Sequence, residues 1–393
     1  MSKSFCGFKR KDGQVGIRNK ILVVSVDECC FGIANKIANE IENSALVVNH
    51  HTCMHGGNEE MVEIIKSICK NPNVYGVVLI SMGCGSINAK NIADEIGITG
   101  KNAVHLEVFS CGGTLKTIEK GKKLAKEFLM ESKKEERVIC DISELVVGVK
   151  CGGSDMSSGL ASNPSVGNAV DRLIDMGATV VVGELFEILG CEEQLFKRCE
   201  TNEIKNKLDR LTREEIQRWS IKGVEVETMS VGNYAGGLST IEEKSLGALS
   251  KSGTKPICGV LEFNKNGYER PEKPGLYFSD VSMICGGAGA QFSAIGAQVI
   301  IWTTGAAGFN TDVVPAITVG GNIDLITEDQ DIDATEIMNG NKNSGEVGNE
   351  IIEYLLKVAS GQKTKVEDSG SSFMILQQKD QKLEYLLKQC NVI

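Results

Sequence analysis

The chain has 393 residues, enough for two ordinary domains, with 41% hydrophobic and 24% charged residues and no apolar run long enough to cross a bilayer. Its formal net charge of −10 argues against a nucleic-acid partner, so an anionic ligand has to meet locally placed cations or a metal. The polar start MSKSFCGFKRKDG lacks a signal-peptide stretch, which predicts a cytoplasmic location; there the 14 cysteines read as packing residues, metal ligands or catalytic thiols before disulfides.

In chain order, the phrase GFKRKDGQVGIRNK comes first and gathers Arg10, Asp12, Gly13, Gly16, Arg18 and Asn19 ahead of the first strand. In isolation it reads as a solvent-exposed hairpin lead-in. Runs at 20–26, 45–50, 74–81 and 104–110 are apolar on both faces and alternate with helix-like stretches, as a parallel sheet covered on each side requires. A doubly wound α/β domain over 1–141 is therefore predicted. The charged stretch 130–141 is expected to bridge to a second α/β domain over 142–393, with strands near 179–185, 256–261, 275–280, 299–304 and 317–319. Residues 191–220 read as one or two long, charged helices forming a solvated excursion from that second sheet.

Ligands collect at the carboxyl ends of strands in such sheets, and there His50, Ser81 and Ser110 hand over to HTCMHGG, MGCGS and CGGT. Three of the four histidines, His50, His51 and His55, surround Cys53, and imidazole and thiolate are good ligands for iron or zinc. Cys84 and Cys151 each follow a strand and are flanked by glycine. Cys53, Cys84 and Cys151 would suit an iron–sulfur cluster with one open iron or flank a mononuclear ferrous ion; the plain alternative is that they fill tight turns. In the second half, Asp155, Glu184, Glu187, Glu243 and Asp280 are candidate acids, bases or hard-metal ligands, although acidic residues on helices are usually solvated. Lys244 could hold a carboxylate or act as a base. Gly152, Gly153 and Gly159, with the Asn163-Pro164 step, signal a fixed loop able to cradle an anion through backbone amides.

Taken in order, these pieces resemble the altronate/galactarate dehydratase family over nearly the whole chain. The matching phrases are RxDGxxGxRN from Arg10 to Asn19, the histidine and cysteine of His51 to Cys53, Gly83-Cys84, GGT at Gly112 to Thr114, and KCGGSDxxSGxxxNPxxG from Lys150 to Gly167. ExxExxGxE from Glu184 to Glu192, GNxAGGLxTIEEKSLG from Gly232 to Gly247 and TTG at Thr303 to Gly305 follow. The resemblance implies a large catalytic subunit that removes water from hexonic or aldaric acids to give 2-keto-3-deoxy acids, or, in a related branch, sulfite from sulfolactate. It further implies iron, a separate small subunit of antifreeze-like type, and an oligomer. Two departures stand out. FSDVSM follows where the family continues with an MDTPG-like turn, and TTG is followed by Ala306 where an arginine is usual, which removes a bidentate anchor and favours a shorter acid.

The expected mechanism is abstraction of a proton beside the substrate carboxylate by Lys244 or His51, with Glu184 or Asp155 protonating the leaving group. Arg18, Asn19, Gly152, Gly153, Ser154, Asn163, Glu187, Glu243, Asp280 and Thr304 are the expected substrate contacts. A non-catalytic iron–sulfur or redox-sensing protein is the competing reading from another class.

Overall fold

The structure is a computed structural model, and it describes residues 3–49, 59–219, 229–264, 266–282, 285–305 and 311–370, with 372, 374 and 376. The first half contains strands β1 (Ser4–Lys9), β2 (Val15–Gly16), β3 (Lys20–Ser25), β4 (Ser44–Val48), β5 (Val74–Ser81), β6 (Asn102–Glu107) and β7 (Val138–Asp141). Its helices are α1 (Phe31–Ala38), α2 (Glu59–Cys69), α3 (Ala89–Ile98), α4 (Val108–Cys111) and α5 (Thr114–Ser132). The order β4-β3-β5-β6 is parallel throughout, so the expected doubly wound sheet is present. Alternate residues of β3 face opposite layers: Ile21 and Val23 pack with α1 and α5, whereas Leu22 and Val24 pack with α2 and α3.

The lead-in phrase does form a hairpin, but a buried one. β1 pairs with both β2 and β7, and Phe5, Val15 and Ile17 enter the core of the second half. The stretch expected to bridge the halves accordingly contains the end of α5 and strand β7.

The second half contains β8 (Val146–Cys151), α6 (Asn163–Asp175), β9 (Thr179–Val182), α7 (Glu192–Phe196), α8 (Asn202–Trp219), α9 (Val231–Ala235), α10 (Ile241–Leu249) and β10 (Ile257–Leu261). A short hairpin, β11 (Phe263–Asn264) and β12 (Gly267–Tyr268), precedes β13 (Gly275–Ser279), α11 (Cys285–Ile295), β14 (Val299–Thr304), β15 (Ala316–Gly320), β16 (Ile332–Asp333), α12 (Thr335–Met338), α13 (Ser344–Ala359) and α14 (Lys365–Ser369). Seven strands, ordered β10-β13-β9-β8-β14-β15-β16, are all parallel. The predicted excursion is the pair α7 and α8. It is only half solvated, because Leu195, Leu208 and Leu211 are buried in the second-sheet core.

Chain order reverses direction across the sheet between β8 and β14. Such a reversal opens a crevice at the strands' carboxyl ends, which locates the site. Among the described residues no helix is long and apolar enough to cross a membrane.

Candidate active site

At the carboxyl ends of the adjacent strands β13, β9, β8 and β14 lie Asp280, Glu184, Cys151 and Thr304. Lys150, next to last in β8, is 1% exposed, with its ammonium 5.0 Å from the Trp302 ring centre. It donates to the Cys151 carbonyl at 2.8 Å and forms an ion pair with Glu184. The other Glu184 carboxylate oxygen accepts the Cys151 amide at 3.0 Å. Glu184 achieves this from a left-handed backbone, φ 69°, unusual for a residue with a Cβ and of the kind that clusters at functional sites.

One helical turn on, Glu187 forms a second buried ion pair with Lys251, which follows the end of α10. The two ion pairs bring together two positive and two negative charges, and the two carboxylates perturb each other. Burial and repulsion from Glu187 push Glu184 up to about 7 despite Lys150. Burial opposes the charge on Glu187 as well, but Lys251, with Lys244 and Lys150, outweighs it and brings this carboxyl down to about 2. The Cys151 thiol, which shares a hydrogen with Ser154 Oγ at 3.0 Å, is pushed up to about 12 by burial and by the two carboxylates.

Beyond Ser154 opens a cavity of about 390 Å³, lined by Asp155, Asn163, Leu238, Glu243 and Lys244 among others. Its volume falls in the range of small-molecule sites. Five expected site residues thus share one cavity, yet not all are available. Asp155 Oδ1 accepts from Ser157 Oγ at 2.7 Å and Ser158 N at 2.8 Å, and its Oδ2 from Asn322 Nδ2 at 2.7 Å. Its carboxylate pins the loop and is not a free acid. Glu243, exposed at the start of α10, accepts from Ser239 N at 2.8 Å and Ser239 Oγ at 2.6 Å, bonds that hold its carboxyl below the usual range.

Nor does the glycine loop form an anion cradle. The Gly152 amide donates to Thr303 O at 2.6 Å and the Gly153 amide to Thr304 Oγ1 at 3.2 Å, extending the β8–β14 pairing. Glycine is needed for closeness: a Cβ on Gly152 would stand 2.6 Å from Trp302 Nε1. Asp280, buried, receives the Phe263 amide at 3.4 Å beside the β11–β12 hairpin.

Arg18 and Asn19 lie elsewhere. The Arg18 guanidinium pairs with Glu367 at 2.7 Å and donates to the carbonyls of Ile17, Val358 and Gln362, and both residues line a separate cleft. Arg18 ties the lead-in to α14, and Asn19 Nδ2 donates to Ser132 O at 3.2 Å in α5, so neither joins the cavity that presents Lys244, which corrects their assignment to that site. Cys84 falls in the loop after β5, an interior strand of the first sheet, and that loop meets Asp27: Met82 N donates to Asp27 Oδ2 at 2.7 Å. Cys151 keeps company with Ser154, Lys150 and Glu184, and no described contact joins it to Cys84. His51, Cys53 and Ala306 lie outside the described residues. Among the described residues no three His, Cys, Asp or Glu side chains are placed to hold a metal, so Cys84 and Cys151 do not complete an iron site there.

Lys150 and Lys251 were absent from the expected site. A lysine inside the apolar run VVGVKC was the available signal for the first; Lys251, in a stretch resembling an ordinary helix end, offered none.

The description "D-galactarate/Altronate dehydratase, C-terminal" matches residues 142–381, and "D-galactarate dehydratase/Altronate hydrolase, second domain" matches 7–133. The chain belongs to the galactarate/altronate dehydratase family. Among its relatives, the (2R)-sulfolactate sulfo-lyase subunit beta of Chromohalobacter salexigens is 31% identical over 95% of this chain and 97% of its own length. The altronate dehydratase of Bacillus subtilis is 29% identical over 92% of this chain and 75% of its own, and the galactarate dehydratase of Escherichia coli 29% over 93% and 74%. As a member of the galactarate/altronate dehydratase family, the chain is a lyase, and the buried charge quartet lies within its C-terminal match.

Proposed function

We propose that this lyase is the large subunit of an enzyme that β-eliminates water from a small hydroxylated carboxylic acid, yielding a 2-keto-3-deoxy acid. The observation that carries the reading is the pair of buried ion pairs Lys150–Glu184 and Glu187–Lys251, near a cavity that also presents Lys244. Lys244, for which no ion pair is described, takes the substrate carboxylate. The Lys150–Glu184 pair is the acid–base element, since a carboxyl poised at about 7 takes or gives a proton at neutral pH. It removes the proton beside the carboxylate and returns it to the departing hydroxyl as water. The enol left behind tautomerises to the 2-keto acid.

A second reading rests on the sulfo-lyase relative, which matches this chain nearly end to end: the same element would release bisulfite from sulfolactate and leave pyruvate. That relative's name includes a subunit, and we extend to this chain a small-subunit partner and an oligomer. Iron, expected from the resemblance, would need ligands such as His51 and Cys53.

Anaerobically purified protein, with its small subunit present, is to be assayed for 2-keto acid and for sulfite against a panel of hydroxy acids. Release of 2-keto acid without sulfite supports dehydration; sulfite release transfers the assignment to the second reading; silence across the panel at full metal loading overturns both. Metal analysis of the same sample is expected to return iron, and full activity without it overturns the iron proposal.

A further inference from the structure

At the amino end of β3, away from the strand ends that hold Glu184 and Cys151, the two halves of the chain enclose a cavity of about 590 Å³. The starts of β3 and β4 and the end of α5 wall it on one side, and Asp312 with the chain around α14 on the other. It shares no lining residue with the cavity that presents Lys244. Most of the charged side chains along it are engaged. Arg18 is held by Glu367, Lys133 pairs with Glu42 at 2.8 Å, and Asp312 accepts from the Ser372 hydroxyl. Arg137 donates to the carbonyls of Cys6, Ile17 and Ala359 and lies over the Phe8 ring. Glu135 is exposed, and its charge acts on Arg10.

Lys20 is the exception. It is half-buried, lines the cavity, and among the described residues no hydrogen bond or ion pair is described for its ammonium. Burial holds it below the ordinary lysine range, with Glu367 and Asp312 pulling it up and Arg18 and Lys363 pushing it down. Lys363, exposed on the same cavity, reaches only Asp368, at 3.7 Å. A partly desolvated ammonium without a bonded counter-ion is costly, and a cleft that retains one is ready for an anion. We infer that this cleft is an anion site, separate from the lyase site, in which Lys20, with Lys363, takes a phosphate group. The free donors favour phosphate over carboxylate. A planar carboxylate is met best by a guanidinium fork, and both forks here, Arg18 and Arg137, are taken up by Glu367 and by backbone carbonyls. Ammonium groups remain, which act as point charges and suit a dianion with oxygens in several directions. The volume, within the range of small-molecule sites, leaves room for the organic part of a monoester. Because both halves wall the cleft, a bound phosphate stabilises their association.

The test is calorimetric binding and thermal melting of the full chain in phosphate-free buffer, with inorganic phosphate, glycerol 3-phosphate and acetate as probes, on wild type, Lys20→Met, Lys363→Met and Lys244→Met. Wild type is expected to bind at least one phosphate probe more tightly than acetate and to melt higher in its presence. Lys20→Met should weaken that binding roughly tenfold or more, the usual loss for a hydrogen bond to a charged group, while its own midpoint without ligand holds or rises because the unpaired charge is gone. Should Lys20→Met not fold, the exposed Lys363→Met gives the same comparison, with weaker phosphate binding expected. Lys244→Met is expected to bind phosphate as wild type does. Tighter binding of glycerol 3-phosphate than of inorganic phosphate supports the site and identifies a monoester as its ligand; the reverse supports it with free phosphate. A wild type that binds neither phosphate probe, or binds acetate equally well, overturns the inference, as does undiminished affinity in a folded Lys20→Met. Loss of binding in Lys244→Met alone puts the phosphate in the lyase cavity and overturns it too. The 2-keto acid and sulfite assays judge the lyase reading separately, since no residue of this cleft takes part in it.

Discussion

Lys150 and Glu184 meet where water does not reach, so each depends on the other. Truncating one partner of a buried ion pair strands the remaining charge, which typically costs about 3–5 kcal/mol. Lys150→Met is expected to destabilise by that amount in denaturant titration, and the double variant Lys150→Met with Glu184→Gln to recover part of it. Equal loss in both would show that the pair is not the cause. The pH behaviour of Glu184 follows from its rise from 4.5 to about 7. A carboxyl whose folded pKa is raised binds its proton more tightly in the native state. Its contribution to stability is therefore complete below about pH 4.5 and is lost as pH climbs to about 7. Activity should run the other way: the base must be ionised to take the substrate proton, so kcat/KM is expected to increase with pH through about 7. Glu184→Gln should abolish that limb, whereas Glu187, already held at about 2, should contribute none of it.

At the scale of elements, α6 holds the quartet together from behind. It packs so closely on the Ser250–Ser252 turn that a Cβ on Gly167 would stand 2.0 Å from Ser250 O. Because that oxygen is backbone, the helix or the turn has to move, and Lys251 rides on the turn. Gly167→Ala is expected to destabilise by about 1–3 kcal/mol. It should also lower activity more than its stability loss explains at 25 °C, because Lys251 is displaced from Glu187; a destabilised but fully active variant would argue against that coupling. The strands themselves were readable, β5 and β14 to the residue, since runs apolar on both faces have few other solutions. The helix α8 was read as solvated because its sequence is densely charged, but Leu208 and Leu211 face the core, and one buried stripe suffices to dock an amphipathic helix.

Across the whole molecule the two sheets do not have separate interiors. One core cluster mixes Leu22, Val24 and Val47 of the first half with Phe292, Ile300 and Trp302 of the second. Asn71 Nδ2 donates to Ser293 O at 2.8 Å and Ala297 O at 2.9 Å, and Asn73 Nδ2 to Gln298 O at 2.8 Å, so buried amides bridge the halves. The Arg18–Glu367 pair ties the lead-in to α14. Calorimetry is therefore expected to show one unfolding transition, and Asn73→Ala to lower its midpoint without splitting it. Two resolved transitions in the wild type would contradict a shared core.

The sequence by itself determined what is local or periodic: the α/β class, most strands, the family, and the loops that bear Cys151, Ser154 and Asn163. Alternation and glycine-flanked strand ends act within a few residues, so they are legible without coordinates. Only the tertiary structure decided which charges pair. Lys251 meets Glu187 across 64 positions, and Arg18 reaches Glu367 across 349, joining a strut rather than a binding site. Electrostatic partners are chosen by distance in space and by exclusion of water, and neither quantity is written along the chain.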